Sequence, residues 1–182
     1  MKKAVPGHQS LLTISFLVFP ICISAQTAPP FTPAELTELP TTNWVTNGGD
    51  LYNRRYSPLT AIDRDNVSEL RGVWRTRLGG SGIGPQYSGE AEPIVYDGVI
   101  YIVTGADDTF AISVETGEIL WSYEAGLDGT IDTICCGWTN RGLALGEGKV
   151  FLGQLDGKLV ALNQATGEVV WSTQAERWQE GY

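Results

Sequence analysis

An internal repeat with an offset of 50 residues limits what this chain can become. Asp97-Gly98-Val99-Ile100-Tyr101 recurs as Glu147-Gly148-Lys149-Val150-Phe151. Thr116-Gly117-Glu118-Ile119-Leu120-Trp121-Ser122 recurs as Thr166-Gly167-Glu168-Val169-Val170-Trp171-Ser172. Ala111 and Ala161 keep the same offset. Self-similarity at a fixed period of about 20–50 residues marks stacked repeats, in which each unit buries its faces on its neighbours. Within each unit, β-prone runs alternate with turn residues. In the second unit the expected strands are 142–145, 149–153, 158–163 and 168–173, parted by Gly146-Glu147-Gly148, Leu155-Asp156-Gly157 and Gln164-Ala165-Thr166-Gly167. Asp-Gly and Thr-Gly pairs supply the positive φ that tight hairpins need.

Four antiparallel strands in about 40–50 residues make one blade of a β-propeller. The expected fold is therefore all-β, a propeller with units at 93–124 and 142–173. Asn66 to Leu78 reads as a weaker relative ending in Val73-Trp74, with a short helical turn over Asp63 to Leu70. Trp121 and Trp171 occupy the same place in each unit, so they are expected to pack between blades, and Trp74 with them. Closed propellers have about 4 to 8 blades. The units here amount to the first two or three, and the chain is expected to be the N-terminal piece of a longer protein.

The N-terminus reads as an export signal over residues 1–25. Lys2 and Lys3 precede an apolar run, Leu11 to Ile23, that is shorter than the about 20 residues a membrane span needs. Ser24-Ala25 is a small-residue cleavage site, and the expected location is periplasmic. A polar, Pro-rich arm at 26–43 is expected to be extended or loosely packed. Charge and composition then exclude several functions. The 12 basic and 21 acidic residues give a net charge of −9, which disfavours nucleic acid. The single His, His8, and Cys22 leave with the signal. The remaining chain has no Ser-His or Cys-His catalysis, no His-ligated zinc and no covalent haem attachment.

Cys135 and Cys136 then stand side by side in an oxidising compartment. Three arrangements are open: a ring between the two, free thiols, or pairing with another chain. Ordinary disulfides hold their Cα atoms about 4.4–6.8 Å apart, against about 3.8 Å for neighbours across a trans peptide. A ring here is strained, and strain is usually kept for a purpose. It presents a rigid, polarizable sulfur surface, one wall of a slot for a flat cofactor. Two small buried apolar side chains are the plainer alternative. Arg141 follows in Cys-Cys-Gly-Trp-Thr-Asn-Arg-Gly, where a guanidinium pairs well with carboxylates, although arginines are mostly surface residues. Glu90 and Glu92, in Gly89-Glu90-Ala91-Glu92-Pro93, are equal candidates on composition.

These elements together resemble the N-terminal part of quinoprotein alcohol dehydrogenases, which use pyrroloquinoline quinone (PQQ). The resemblance rests on Gly49-Asp50-Leu51-Tyr52-Asn53-Arg54-Arg55-Tyr56-Ser57-Pro58-Leu59, Asn66-Val67-Ser68-Glu69-Leu70, Gly89-Glu90-Ala91-Glu92-Pro93, Cys135-Cys136, Asn140-Arg141-Gly142 and the Thr-Gly-Glu…Trp repeat, from Trp44 onward. It implies an eight-bladed propeller, of which 44–182 is an incomplete part, with PQQ in the central channel. It implies that Cys135 and Cys136 form a ring against one face of the quinone, and that Glu90 and Arg141 meet its edge. It also implies a calcium or lanthanide ion, a small-molecule alcohol as substrate and a cytochrome c as electron acceptor. The family's metal ligands, catalytic Asp and covering Trp lie beyond the matched segment, so no residue here is assigned a catalytic or metal-binding role. The competing expectation is a non-catalytic propeller scaffold, like the outer-membrane assembly proteins that share such repeats.

Overall fold

The computed structural model describes residues 26–79, 87–132 and 137–180. In chain order, a short helix α1 (Pro33–Thr37) and a 3₁₀ turn (Val67–Glu69) precede β1 (Tyr87–Glu92). Then β2 (Ile94–Tyr96), β3 (Val99–Val103), β4 (Thr109–Ser113) and β5 (Ile119–Tyr123) form one antiparallel meander. After β6 (Trp138–Gly142), a second meander follows with β7 (Ala144–Gly146), β8 (Lys149–Gly153), β9 (Lys158–Asn163) and β10 (Val169–Gln174). Each has its strands in sequential order, as in a propeller blade.

Local chemistry explains the meanders. Asp97 and Gly98 have φ of 45° and 75°, and Glu147 and Gly148 have 50° and 66°. Two successive positive φ values make the turn whose twist matches that of the flanking strands. Along β3 burial alternates, with Val99, Tyr101 and Val103 buried on one face. These meet Val150 and Leu152 of β8 and Val160 and Leu162 of β9 in one cluster shared by both sheets. Neither sheet encloses that cluster alone, which is the physical content of a stacked repeat.

The tryptophans act as the repeat predicts, with one exception. A Cβ at Gly167 would lie 2.5 Å from the Trp121 ring, and the Trp121 indole donates to the Gln164 carbonyl at 3.0 Å. Trp74 treats the first unit in the same way, lying over Gly117 and donating to the Val114 carbonyl at 2.9 Å. Only glycine, here with φ of 74° and 73°, admits a ring so close. Trp171 packs on Phe151 of its own sheet as Trp121 does on Tyr101, with ring centroids 6.1 Å apart in both pairs, but it stays 38% exposed.

Three expectations need correction. The arm is extended at first, but it is tightly docked: Ala28 is buried, and its amide donates to the Gln164 side chain at 2.7 Å. The arm then turns into α1, because Thr32 and Glu35 form a reciprocal capping box and Pro33 opens the helix. The helical turn at 63–70 is present but is not one regular helix: the Asp63 carboxylate caps it at the Asp65 and Asn66 amides, the Val67 amide donates to the Asp63 carbonyl at 3.0 Å, and the chain then tightens into the 3₁₀ turn Val67–Glu69. The first strand of the second unit is Ala144–Gly146, because Gly142 belongs to β6. Residues 1–25, the export-signal reading, lie outside the described residues. Among the described residues no helix is long and apolar enough to cross a membrane.

Candidate functional site

The site grows from a pairing that the repeat does not announce. β1 and β6, the segments leading into β2 and β7, run parallel. Gly89 aligns with Asn140 and Glu92 with Gly142, so β1 spends one extra residue between these two partners. Such a bulge re-aims a side chain. It brings Glu90 to Arg141, with Oε2 3.5 Å from Nε. The side chains are 51% and 84% exposed, so the pair adds little stability. Its consequence is orientation.

Glu92, equal to Glu90 in the sequence, does something else. It accepts from the Gly48 amide and forms an ion pair with Arg55. That ties the segment around 47–55 to the end of β1. Asp50, buried in this segment, accepts from the Tyr52 amide at 2.8 Å and pairs with Arg54. Desolvation opposes its ionisation, but the Arg54 guanidinium and the Arg54 and Tyr52 amides prevail and hold its pKa below the usual aspartate value. Asn53 and Arg55 adopt φ of 53° and 51°, a left-handed geometry costly for arginine. Gly142, with φ of 143°, lets this segment approach: a Cβ there would meet the Asn47 amide nitrogen at 2.5 Å. Asn47, Asn53, Arg55, Glu90, Glu92 and Arg141 thus line one polar cleft of ≈ 450 Å³.

Behind Arg141 lies a buried network. Asn140 donates through Nδ2 to Asp107 Oδ1 at 2.8 Å and to the Gly153 carbonyl at 2.9 Å, and its Oδ1 accepts from the Gly142 amide at 3.0 Å. Asp107 Oδ2 accepts from the Leu155 amide at 2.6 Å. Burial pushes the Asp107 carboxyl up to about 6, with nearby Asp156 and Asp108 adding to it, while the Asn140 and Leu155 bonds pull it down. Sequence reading missed Asp107. The available signal was the repeat itself, because the 50-residue offset pairs Asp107 with Gly157.

Of the four residues expected to contact a cofactor, Glu90 and Arg141 are brought together, and Cys135 and Cys136 lie outside the described residues. The donor set of the cleft fits a carboxylated ligand. Arg141 meets a single carboxylate among the described residues, through Nε and at the long distance of 3.5 Å, and bidentate pairing uses the other guanidinium edge. Among the described residues no group of three or more His, Cys, Asp or Glu is placed to hold a metal ion.

Residues 44–176 match the family described as PQQ, glucose/ethanol/alcohol dehydrogenase, beta-propeller domain. The chain is 45% identical over 138 residues to the quinoprotein alcohol dehydrogenase PedH of Pseudomonas putida, covering 76% of this chain and 22% of that protein. It is 43% identical over 130 residues to the 1-butanol dehydrogenase (cytochrome c) of Thauera butanivorans, covering 70% and 18%. A europium-containing methanol dehydrogenase structure superposes with a TM-score of 0.66 at 29% identity, covering 75% of this chain and 23% of that one. The chain therefore spans about a fifth of the length of the proteins it matches.

Proposed function

Since this chain belongs to the PQQ family of glucose/ethanol/alcohol dehydrogenase β-propeller domains, we propose that it supplies one wall of the PQQ site in an exported, periplasmic enzyme that oxidises small-molecule alcohols to aldehydes. The observation that carries this reading is the meeting of Glu90 and Arg141 across the β1–β6 register, inside the segment that matches the family. Bound PQQ would supply a quinone that takes up the two electrons and two protons leaving the alcohol.

The chain's own residues do the holding. Arg141 would pair with a carboxylate of the cofactor, with Glu90 keeping the guanidinium turned toward the cleft. Arg55, neutralised by Glu92, shapes the neighbouring wall. Cys135 and Cys136, if bridged to each other, would form a wall for one face of the ring. Calcium or a lanthanide would serve as the metal, held with the catalytic base by residues outside this segment of an eight-bladed propeller. Support for the metal is the europium named in the structurally similar methanol dehydrogenase. Support for a cytochrome c acceptor is the name of the Thauera butanivorans relative. Export rests on Lys2, Lys3 and the apolar run that follows.

The test uses the intact protein that carries this chain. PQQ is titrated into the apo form, and alcohol oxidation is followed with an artificial acceptor in the presence of calcium or a lanthanide. Arg141→Ala is expected to weaken PQQ binding about 10–100-fold, the equivalent of one charge-assisted contact. A wild-type protein that binds no PQQ would leave the scaffold reading in its place.

A further inference from the structure

We propose that Asp107, acting through Asn140, is the positioning residue that sets where Arg141 stands beside Glu90. It touches no ligand. The role in ligand binding rests on the reading that Arg141 meets the cofactor, whereas the positioning itself stands on the geometry alone.

Asp107 is costly where it sits. It is fully buried, and its φ of 63° falls in the left-handed region, where the second unit holds Gly157 at 81°. A buried carboxylate without a partner is strongly disfavoured, so its persistence at a glycine-like position calls for compensation. Both oxygens are engaged, one by Asn140 and the other by the Leu155 amide. Both of these partners are N–H donors, so an ionised carboxylate satisfies them and an amide in its place does not.

Asn140 is held in one orientation as a result. Its Nδ2 serves Asp107 and the Gly153 carbonyl, and its Oδ1 serves the Gly142 amide. Flipping the amide group would set a donor against the Gly142 N–H and an acceptor against the carboxylate. The backbone is therefore fixed on both sides of Arg141, by the Asn140 side chain before it and the Gly142 amide after it. Arg141 itself is 84% exposed and, among the described residues, makes one long contact with a carboxylate. That backbone sets where the side chain leaves β6, and Glu90 meets its far end. The chain of bonds runs from the β3–β4 turn to β6 and ends at the backbone flanking Arg141.

Two variants test this in the intact protein. Asp107→Asn keeps the shape and puts an N–H where an acceptor is needed. Asn140→Ala removes the relay and leaves the Leu155 bond in place. Two readouts are taken: hydrogen exchange at the Gly142 amide without cofactor, and the PQQ dissociation constant by fluorescence titration. Both variants are expected to speed Gly142 exchange and weaken PQQ about tenfold, and combining them should add little. Arg141→Ala should weaken PQQ while leaving Gly142 exchange unchanged. If the variants lower only the melting temperature, with Gly142 exchange and PQQ affinity as in wild type, the positioning role is wrong. Should Asp107→Asn fail to fold, Asn140→Ala carries both readouts. A wild type that binds no PQQ overturns the proposed function, and the exchange readout then decides the positioning role by itself.

Discussion

Asp107 and Asp50 show how environment, not residue type, decides a carboxylate's behaviour. Both are buried. Asp50 has a guanidinium beside it and is held ionised, whereas Asp107 has only neutral donors and its pKa rises to about 6 from a usual 3.8. The sign of the stability effect follows. Between about pH 4 and 6 the folded state holds a proton on Asp107 that the unfolded state has lost, so this residue's contribution falls as pH rises and the cost is nearly complete by about pH 7. In Asp107→Asn that slope is absent. We expect wild type to lose about 2 kcal/mol relative to this variant between pH 4 and pH 6, read from urea unfolding at each pH. A difference that stays constant across the window would show that Asp107 does not titrate there. At this scale the sequence was only half legible. Glu90 and Glu92 are two residues apart in one polar run, and composition treats them alike. The bulge in β1 separates them, leaving one facing Arg141 and the other anchoring Gly48 and Arg55.

Elements dock here through a recurring contact, an indole over a left-handed glycine with a hydrogen bond to a nearby carbonyl. Trp74 and Trp121 each make it with the unit that follows. Trp121→Phe keeps the ring over Gly167 and removes the bond to Gln164. The expected cost is about 1 kcal/mol, measured as a lowered urea midpoint with an unchanged slope. An unchanged midpoint would mean that the indole bond adds nothing beyond packing. Gln164 joins several of these elements: its side chain accepts from Ala28 and donates to the Tyr101 hydroxyl at 3.1 Å, and its carbonyl receives Trp121. The Trp positions and meander turns were legible because they repeat. The parallel β1–β6 pair was not, since its members are neither adjacent in sequence nor similar in composition, and a parallel pair needs no turn between them.

Across the molecule, apolar surface is distributed unevenly. The faces between the two sheets are closed, with Ile94, Val150, Leu152 and Leu162 fully buried. On the outer strands Ile119, Leu120, Val169, Val170 and Trp171 remain between 38% and 54% exposed. Apolar clusters of this kind favour association. Residues 26–182 alone are therefore expected to self-associate as concentration rises, seen by sedimentation velocity, and Val169→Lys with Val170→Lys should reduce it. A single monomeric species at all concentrations would contradict this reading of the outer face.

Periodicity foretold the two meanders, their turns and the contacts of Trp74 and Trp121, because each recurs with the repeat, while the first strand of the second meander and the exposure of Trp171 departed from it. The polar cleft is different in kind. Its residues come from segments around 47–55, 90–92 and 140–142, and one extra residue in β1 determines which glutamate reaches which arginine. Register across a parallel pair is set by packing between distant segments, so it carries no local signature. Folding alone brings Asp107 to Asn140, and with it the backbone on which Arg141 is held.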